Sequence, residues 1–239
     1  MKHLLIKALA ILIVISNVYA NDNNVIVVGT TGDYPPLTYH TKNGYMGKDI
    51  DIFTAFAKAN NFKLKFVVTT WSDLRQDLIN GKFEVAIGGI SDSKERAENF
   101  FLSNAIESSS KVPLIRCSDS KRFSDFAAID NNNVLVVENR GGTNQSFALE
   151  HIKHATIILY PQNATTLASL TQASFRTDVM FTDDIEANYR HEINPLLCVA
   201  NIPQKFPQSN KVFLFSKTGS GRKLSKLFNR WWQLNKNYY

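Results

Sequence analysis

From Val25 onward the chain alternates short β-branched runs with stretches of helical periodicity, and few folds accept that order. Residues 25–28 read as a strand. Residues 49–60 place Ile50, Ile52, Phe53, Phe56 and Ala57 at helical spacing, and residues 64–68 return to strand. A helix then opens at Trp71 with Leu74 and Leu78 on one face, and residues 84–87 form the next strand. This β-α-β-α-β series predicts an α/β fold, in which ligands gather in the loops that follow the strands. Residues 111–116 are a further strand, at which the chain leaves this first unit. A second series follows, with strand 134–137, helix 146–151, strand 157–160, helix 164–173 and strand 179–181. A late strand, 212–215, and a terminal helix, 222–232, with Leu224, Leu227, Phe228 and Trp231 on one face, return to the first unit. The 239 residues, 44% hydrophobic, suffice for two lobes of about 100 residues each.

Residues 1–20 stand apart from this alternation. Lys2 and Lys7 precede an unbroken apolar run, residues 8–15, and the stretch ends at the small residue Ala20. That is the pattern of a secretory signal peptide, too short to span a membrane, so no membrane insertion is expected once it is removed. Its removal takes two lysines and no acid, so the formal charge of +6 becomes +4. The remaining basic residues are scattered and no aromatic–arginine stacking motif recurs, which argues against a nucleic-acid partner. A mild positive balance suits a small anion. Both cysteines, Cys117 and Cys198, lie in the exported part, where an even pair reads as a disulfide.

Three glycine-bearing loops and one acidic turn follow the strands. Residues 29–36, with two glycines and two prolines, form a loop presenting Tyr34, and a turn follows at Asn43-Gly44. In residues 88–97, Gly88-Gly89 lets backbone amides approach a ligand, Ser91 supplies a hydroxyl, and Arg96 offers a planar fork suited to a carboxylate. The same residues also fit a helix start with a solvated arginine. In residues 138–145 a glycine pair lies between strand and helix, which makes an anion cradle, without the spacing of a dinucleotide or P-loop fingerprint. Residues 182–187 bring Asp183, Asp184 and Glu186 just after the buried run 179–181. Read alone, this turn is an ordinary capping box with Thr182 or Asp183 as N-cap and Glu186 reaching back. His151 and His154 share a helical face, but no carboxylate or cysteine cluster accompanies them, so no metal site is expected.

Taken together, several of these motifs resemble the periplasmic solute-binding proteins of the polar amino-acid class. They are the loop 32–36, Tyr45-x-Gly47-x-Asp49-Ile50-Asp51, Gly88-Gly89-Ile90-Ser91 with Glu95-Arg96, the Gly142-Thr143 turn and Thr182-Asp183-Asp184. The resemblance implies a periplasmic binding protein-like fold, two α/β lobes joined by two crossing strands with a ligand cleft between them. It implies a signal peptide at 1–20, lobe 1 at 21–111 and 209–239, and lobe 2 at 112–208. It further implies that Arg96 grips an α-carboxylate with help from Ser91 and Thr143, that Asp183 holds an α-amino group, and that Tyr34 and Trp71 sandwich the side chain.

Within that class the chain is similar to the periplasmic cyclohexadienyl dehydratases. The likeness rests on Thr30-Thr31-Gly32-Asp33-Tyr34, Thr70-Trp71, Lys111-x-Pro113, the two cysteines, Asn139-x-Gly141-Gly142-Thr143-Asn144 and Thr182-Asp183-x-Ile185-Glu186-Ala187. Arg140 stands where that pattern has proline, and Leu37 where it has an aromatic residue. The likeness implies a decarboxylating dehydration of prephenate to phenylpyruvate or of arogenate to phenylalanine. Tyr34, Trp71, Gly89, Ser91, Arg96, Lys111, Asn139, Thr143, Asn144 and Asp183 would bind substrate, with Glu186 as general acid. Such chemistry needs an anion clamp and one protonated carboxyl, so no cofactor is expected. The alternative is a binding protein that delivers an amino acid to an ABC permease without chemistry.

Overall fold

The computed structural model describes residues 24–172 and 176–239. The segment read as a signal peptide, and the last residue of the helix expected at 164–173, lie outside the described residues.

The first lobe opens with β1 (Val25–Thr30), then β2 (Asp33–Tyr34), β3 (Thr38–Thr41) and β4 (Gly44–Met46). Helix α1 (Lys48–Ala59), β5 (Lys63–Val68), α2 (Leu74–Ile79), β6 (Val85–Ala86), α3 (Lys94–Asn99) and β7 (Phe101–Leu102) complete its first pass. The long β8 (Glu107–Arg116) leads to α4 (Phe126–Ile129), β9 (Leu135–Asn139), α5 (Thr143–His151), β10 (Thr156–Tyr160) and α6 (Asn163–Thr171). The second lobe ends with β11 (Val179–Asp183), α7 (Asp184–Ile193) and β12 (Leu197–Val199). The chain returns through β13 (Gln208–Lys211), β14 (Leu214–Phe215) and α8 (Gly219–Asn235).

One sheet has the order β5-β1-β6-β14-β7, with β1 parallel to β5 and β6 and the return strand β14 antiparallel to β6 and β7. The other runs β10-β9-β11-β8-β12. Two strands cross between the lobes. Glu107–Ser110 of β8 pair antiparallel with β13, and the rest of β8 enters the second sheet between β11 and β12. The apolar stripe of α1 buries Ile52, Phe53 and Phe56 against Phe213, Phe215 and Phe228, so the C-terminal helix closes the core begun by the first.

Two sequence expectations are corrected. The loop after β1 contains strand β2, which pairs with β3 and through it β4 in a small sheet, with the turn at Asn43-Gly44 joining β3 to β4. The strand expected over 212–215 is divided. Val212 N–H donates to the Ile90 carbonyl at 2.8 Å and Phe213 N–H to Ser103 Oγ at 2.9 Å, as the chain passes from one sheet to the other.

Candidate functional site

The antiparallel register of β8 and β11 sets Lys111 opposite Asp183, and Lys111 Nζ donates to Asp183 Oδ1 at 3.0 Å. Asp183 ends β11 and is the N-cap of α7, yet among the described residues its side chain makes no capping bond. Its second oxygen, Oδ2, accepts from Lys211 Nζ at 2.5 Å and from the Tyr34 hydroxyl. Burial pushes this carboxyl up, but Lys111 and Lys211 outweigh it and hold Asp183 well below the usual carboxylate range. Lys211, which the sequence reading did not single out, is fully buried at the end of β13. Its ammonium also donates to the Gly89 carbonyl at 3.2 Å and to Ser91 Oγ at 2.9 Å, and lies 5.2 Å from the Tyr34 ring centroid. Burial lowers its pKa, and the Asp183 carboxylate opposes that shift.

Glu186, one helical turn on, is not the reciprocal half of a capping box. Its Oε2 accepts from Thr182 Oγ1 at 2.6 Å, and its Oε1 accepts from Asn163 Nδ2 at 2.8 Å and from Arg190 Nη2 at 2.9 Å. Burial raises its pKa against the opposing pull of Arg190, Thr182 and Asn163. Thr182 Oγ1 in turn accepts from Asn144 Nδ2 at 3.5 Å, so two contacts link Glu186 to an amide on the cleft wall.

The lobes meet around this centre. Asn163 Nδ2 and Arg190 Nη2 both donate to the Asp33 carbonyl, at 3.1 and 3.3 Å, while Trp71 Nε1 donates to Asp33 Oδ1 at 3.0 Å. Tyr34 and Trp71 pack edge to face with centroids 5.6 Å apart. A narrow cleft is lined by Tyr34, Trp71, Gly89, Asn139, Thr143, Asn144 and Asp183 together with Gly142. Lys111 Nζ reaches Asn144 Oδ1 at 2.5 Å and Thr143 Oγ1 at 3.3 Å. Ser91 joins the group through Lys211, and half-buried Arg96 donates to the Ser91 carbonyl. Burial lowers the Arg96 pKa to about 10. Glu186 lies behind this lining rather than in it.

Thr182, read as a helix cap, bonds Glu186 instead, and two further side chains of the assembly were missed: Asn163 and Arg190. The i,i+4 spacing of Glu186 and Arg190 was a legible signal for the last. For Lys211 the signal was a lone charge at the head of the apolar run 212–215.

Away from the cleft, Cys117 and Cys198 form a disulfide joining the end of β8 to β12. Among the described residues, the one grouping of three potential metal-ligating side chains is this pair with His191, and the disulfide removes both thiolates from ligand duty. His151 stacks on Phe147 at 4.1 Å.

Residues 26–233 match the family model for bacterial extracellular solute-binding proteins, family 3. The chain belongs to that family. Among family 3 relatives, it is 34% identical over 197 residues to a cyclohexadienyl dehydratase of Pseudomonas aeruginosa, covering 82% of this chain and 73% of that protein. Its fold superposes with a TM-score of 0.81 on an ancestral amino-acid-binding protein described as a precursor of cyclohexadienyl dehydratase. The two are 28% identical, and the match covers 90% of this chain and 91% of the other. An ancestral cyclohexadienyl dehydratase gives a TM-score of 0.51 at 35% identity, covering 90% of this chain and 88% of the other. Among the described residues no helix is long and apolar enough to cross a membrane.

Proposed function

We propose that this family 3 protein is a periplasmic cyclohexadienyl dehydratase, exported through its signal peptide, that removes water and carbon dioxide from prephenate, arogenate or both. The observation that carries the reading is Glu186, a fully buried carboxyl whose pKa burial raises, two contacts from a cleft wall that also bears Lys111. The identity to the Pseudomonas aeruginosa enzyme supports it.

In this reading Arg96 and the Thr143 turn clamp the substrate carboxylates, and the Lys111 ammonium, held by Asp183, Asn144 and Thr143, adds its charge. The Glu186 carboxyl gives its proton to the ring hydroxyl as the carbon–oxygen bond breaks and water leaves. The electron pair of the ring–carboxylate bond moves into the ring, carbon dioxide departs, and the ring becomes aromatic. Each turnover consumes one proton, which Glu186 regains from solvent when the cleft opens. No step requires a cofactor.

Incubating the mature protein with prephenate and following phenylpyruvate tests the reading. Folded protein that gives no rate above the spontaneous one refutes it. Glu186→Gln is expected to cut kcat by about 100-fold or more while substrate still binds. A fully active Gln variant removes Glu186 from the acid role.

The second reading, an amino-acid receptor for an ABC permease, is favoured by the likeness to the ancestral amino-acid-binding protein. A thermal shift with an amino acid, combined with no prephenate turnover, would select it.

A further inference from the structure

The Lys211 ammonium has three protons, and each has an acceptor: the Gly89 carbonyl, Ser91 Oγ and Asp183 Oδ2. A group so held, on a fully buried strand end, does not swing out to meet a ligand. It acts on the cleft through Asp183, a carboxylate in the cleft lining and so a partner for any ligand ammonium. Both Asp183 oxygens are engaged by cations, Oδ1 by Lys111 and Oδ2 by Lys211, and the Tyr34 hydroxyl takes a further position on Oδ2. An incoming ammonium would have to share that carboxylate with two lysines in a desolvated space, a like-charge arrangement that binding sites use to reject a ligand.

The charge balance points the same way. Lys111 and Lys211 both contact the Asp183 carboxylate, and the Arg96 guanidinium stands nearby. A dicarboxylate whose α-carbon bears a keto oxygen brings two negative charges to set against these cations. Its α-amino counterpart carries one fewer and must also place an ammonium beside two lysines.

We infer that Lys211 is a specificity-determining residue: by occupying Asp183 Oδ2 with a buried positive charge it makes the cleft select a dianionic 2-oxo dicarboxylate over the corresponding α-amino acid. Resting on the dehydratase reading for its ligand pair, this means prephenate over arogenate.

The test is calorimetric titration with prephenate and with arogenate. Three proteins are compared: Glu186→Gln, which halts turnover, the same protein with Lys211→Met, and the same protein with Lys211→Arg. With Lys211 in place, prephenate is expected to bind at least about 10-fold tighter than arogenate. The ratio is expected to fall to within about 3-fold in the Met variant and to recover in the Arg variant, which restores the charge. Equal or tighter arogenate binding by the Lys211-intact protein overturns the inference whether or not the variants fold. An unchanged ratio in folded Lys211→Met protein overturns it too, as does failure to bind either ligand. Turnover by the wild-type enzyme is read separately. Selective prephenate binding without turnover strikes the dehydratase reading alone, and turnover with indiscriminate binding strikes the Lys211 inference alone.

Discussion

Replacing Asp49 with asparagine should change how the stability of this protein depends on pH, and the expected size follows from its surroundings. Asp49 lies in the first turn of α1, only 1% exposed, and its Oδ2 accepts from the Gly89 amide at 2.8 Å, anchoring the loop that carries the acceptors of Lys211. Its Oδ1 has no hydrogen-bond partner among the described residues. Burial raises the carboxyl from its ordinary 3.8 to about 7, against the opposing Gly89 amide bond. In the unfolded chain the group titrates near 4, so the folded state holds its proton more tightly. That stabilising contribution is fully present below about pH 4 and is lost as the pH rises to about 7. A displacement of about three pH units is worth about 4 kcal/mol at 1.36 kcal/mol per unit. Asparagine is neutral throughout and keeps an oxygen for the Gly89 amide. The variant should therefore gain about 2–4 kcal/mol on the wild type between pH 4 and pH 8, at no more than about 1.4 kcal/mol per pH unit. Urea unfolding of both proteins across that range at fixed ionic strength measures the difference. A difference that does not change with pH refutes the argument.

Other expectations follow from single contacts. Phe228 is fully buried among Phe53, Phe56 and Phe213, so Phe228→Ala should cost about 3–5 kcal/mol in denaturant unfolding. Reducing the Cys117–Cys198 disulfide, which closes a sequence separation of 81 residues, should lower stability by about 2–5 kcal/mol while leaving ligand affinity within about threefold. At Gly141, whose φ is +88°, an added Cβ would lie 2.4 Å from the Ser72 Cα across the cleft. Gly141→Val should therefore prop the lobes apart, seen as a larger radius of gyration in solution scattering and weaker ligand binding.

The parts of the fold that were legible are those written in local periodicity. The Ile50, Phe53 and Phe56 stripe predicted α1 to within a residue at each end, and the β-branched run from Val25 predicted β1. The register that opposes Lys111 to Asp183 was not readable, although both residues were chosen from their motifs. Lys211 stood outside every motif because its partners Gly89 and Ser91 lie about 120 residues away in sequence. The Glu186 turn was ambiguous for a different reason. A capping box and a carboxyl held by Thr182, Asn163 and Arg190 share the same local sequence, and only Asn163, from another helix, separates them. Residues 212–215 misled because their apolar pattern is that of a strand, while the chain spends half of it changing sheets.

Lys111 belongs to one crossing strand and Lys211 terminates the other. The two ammoniums that grip Asp183 thus sit on the strands that join the lobes, whereas Tyr34, Trp71 and the Gly141–Ser72 approach are on the facing walls. In a rotation of the lobes about these strands the atoms near the axis are displaced least, so this pair of charges would stay close to its working geometry while the walls part. An arriving anion would then be weighed electrically before it is enclosed, and the aromatic walls would judge its shape only afterwards.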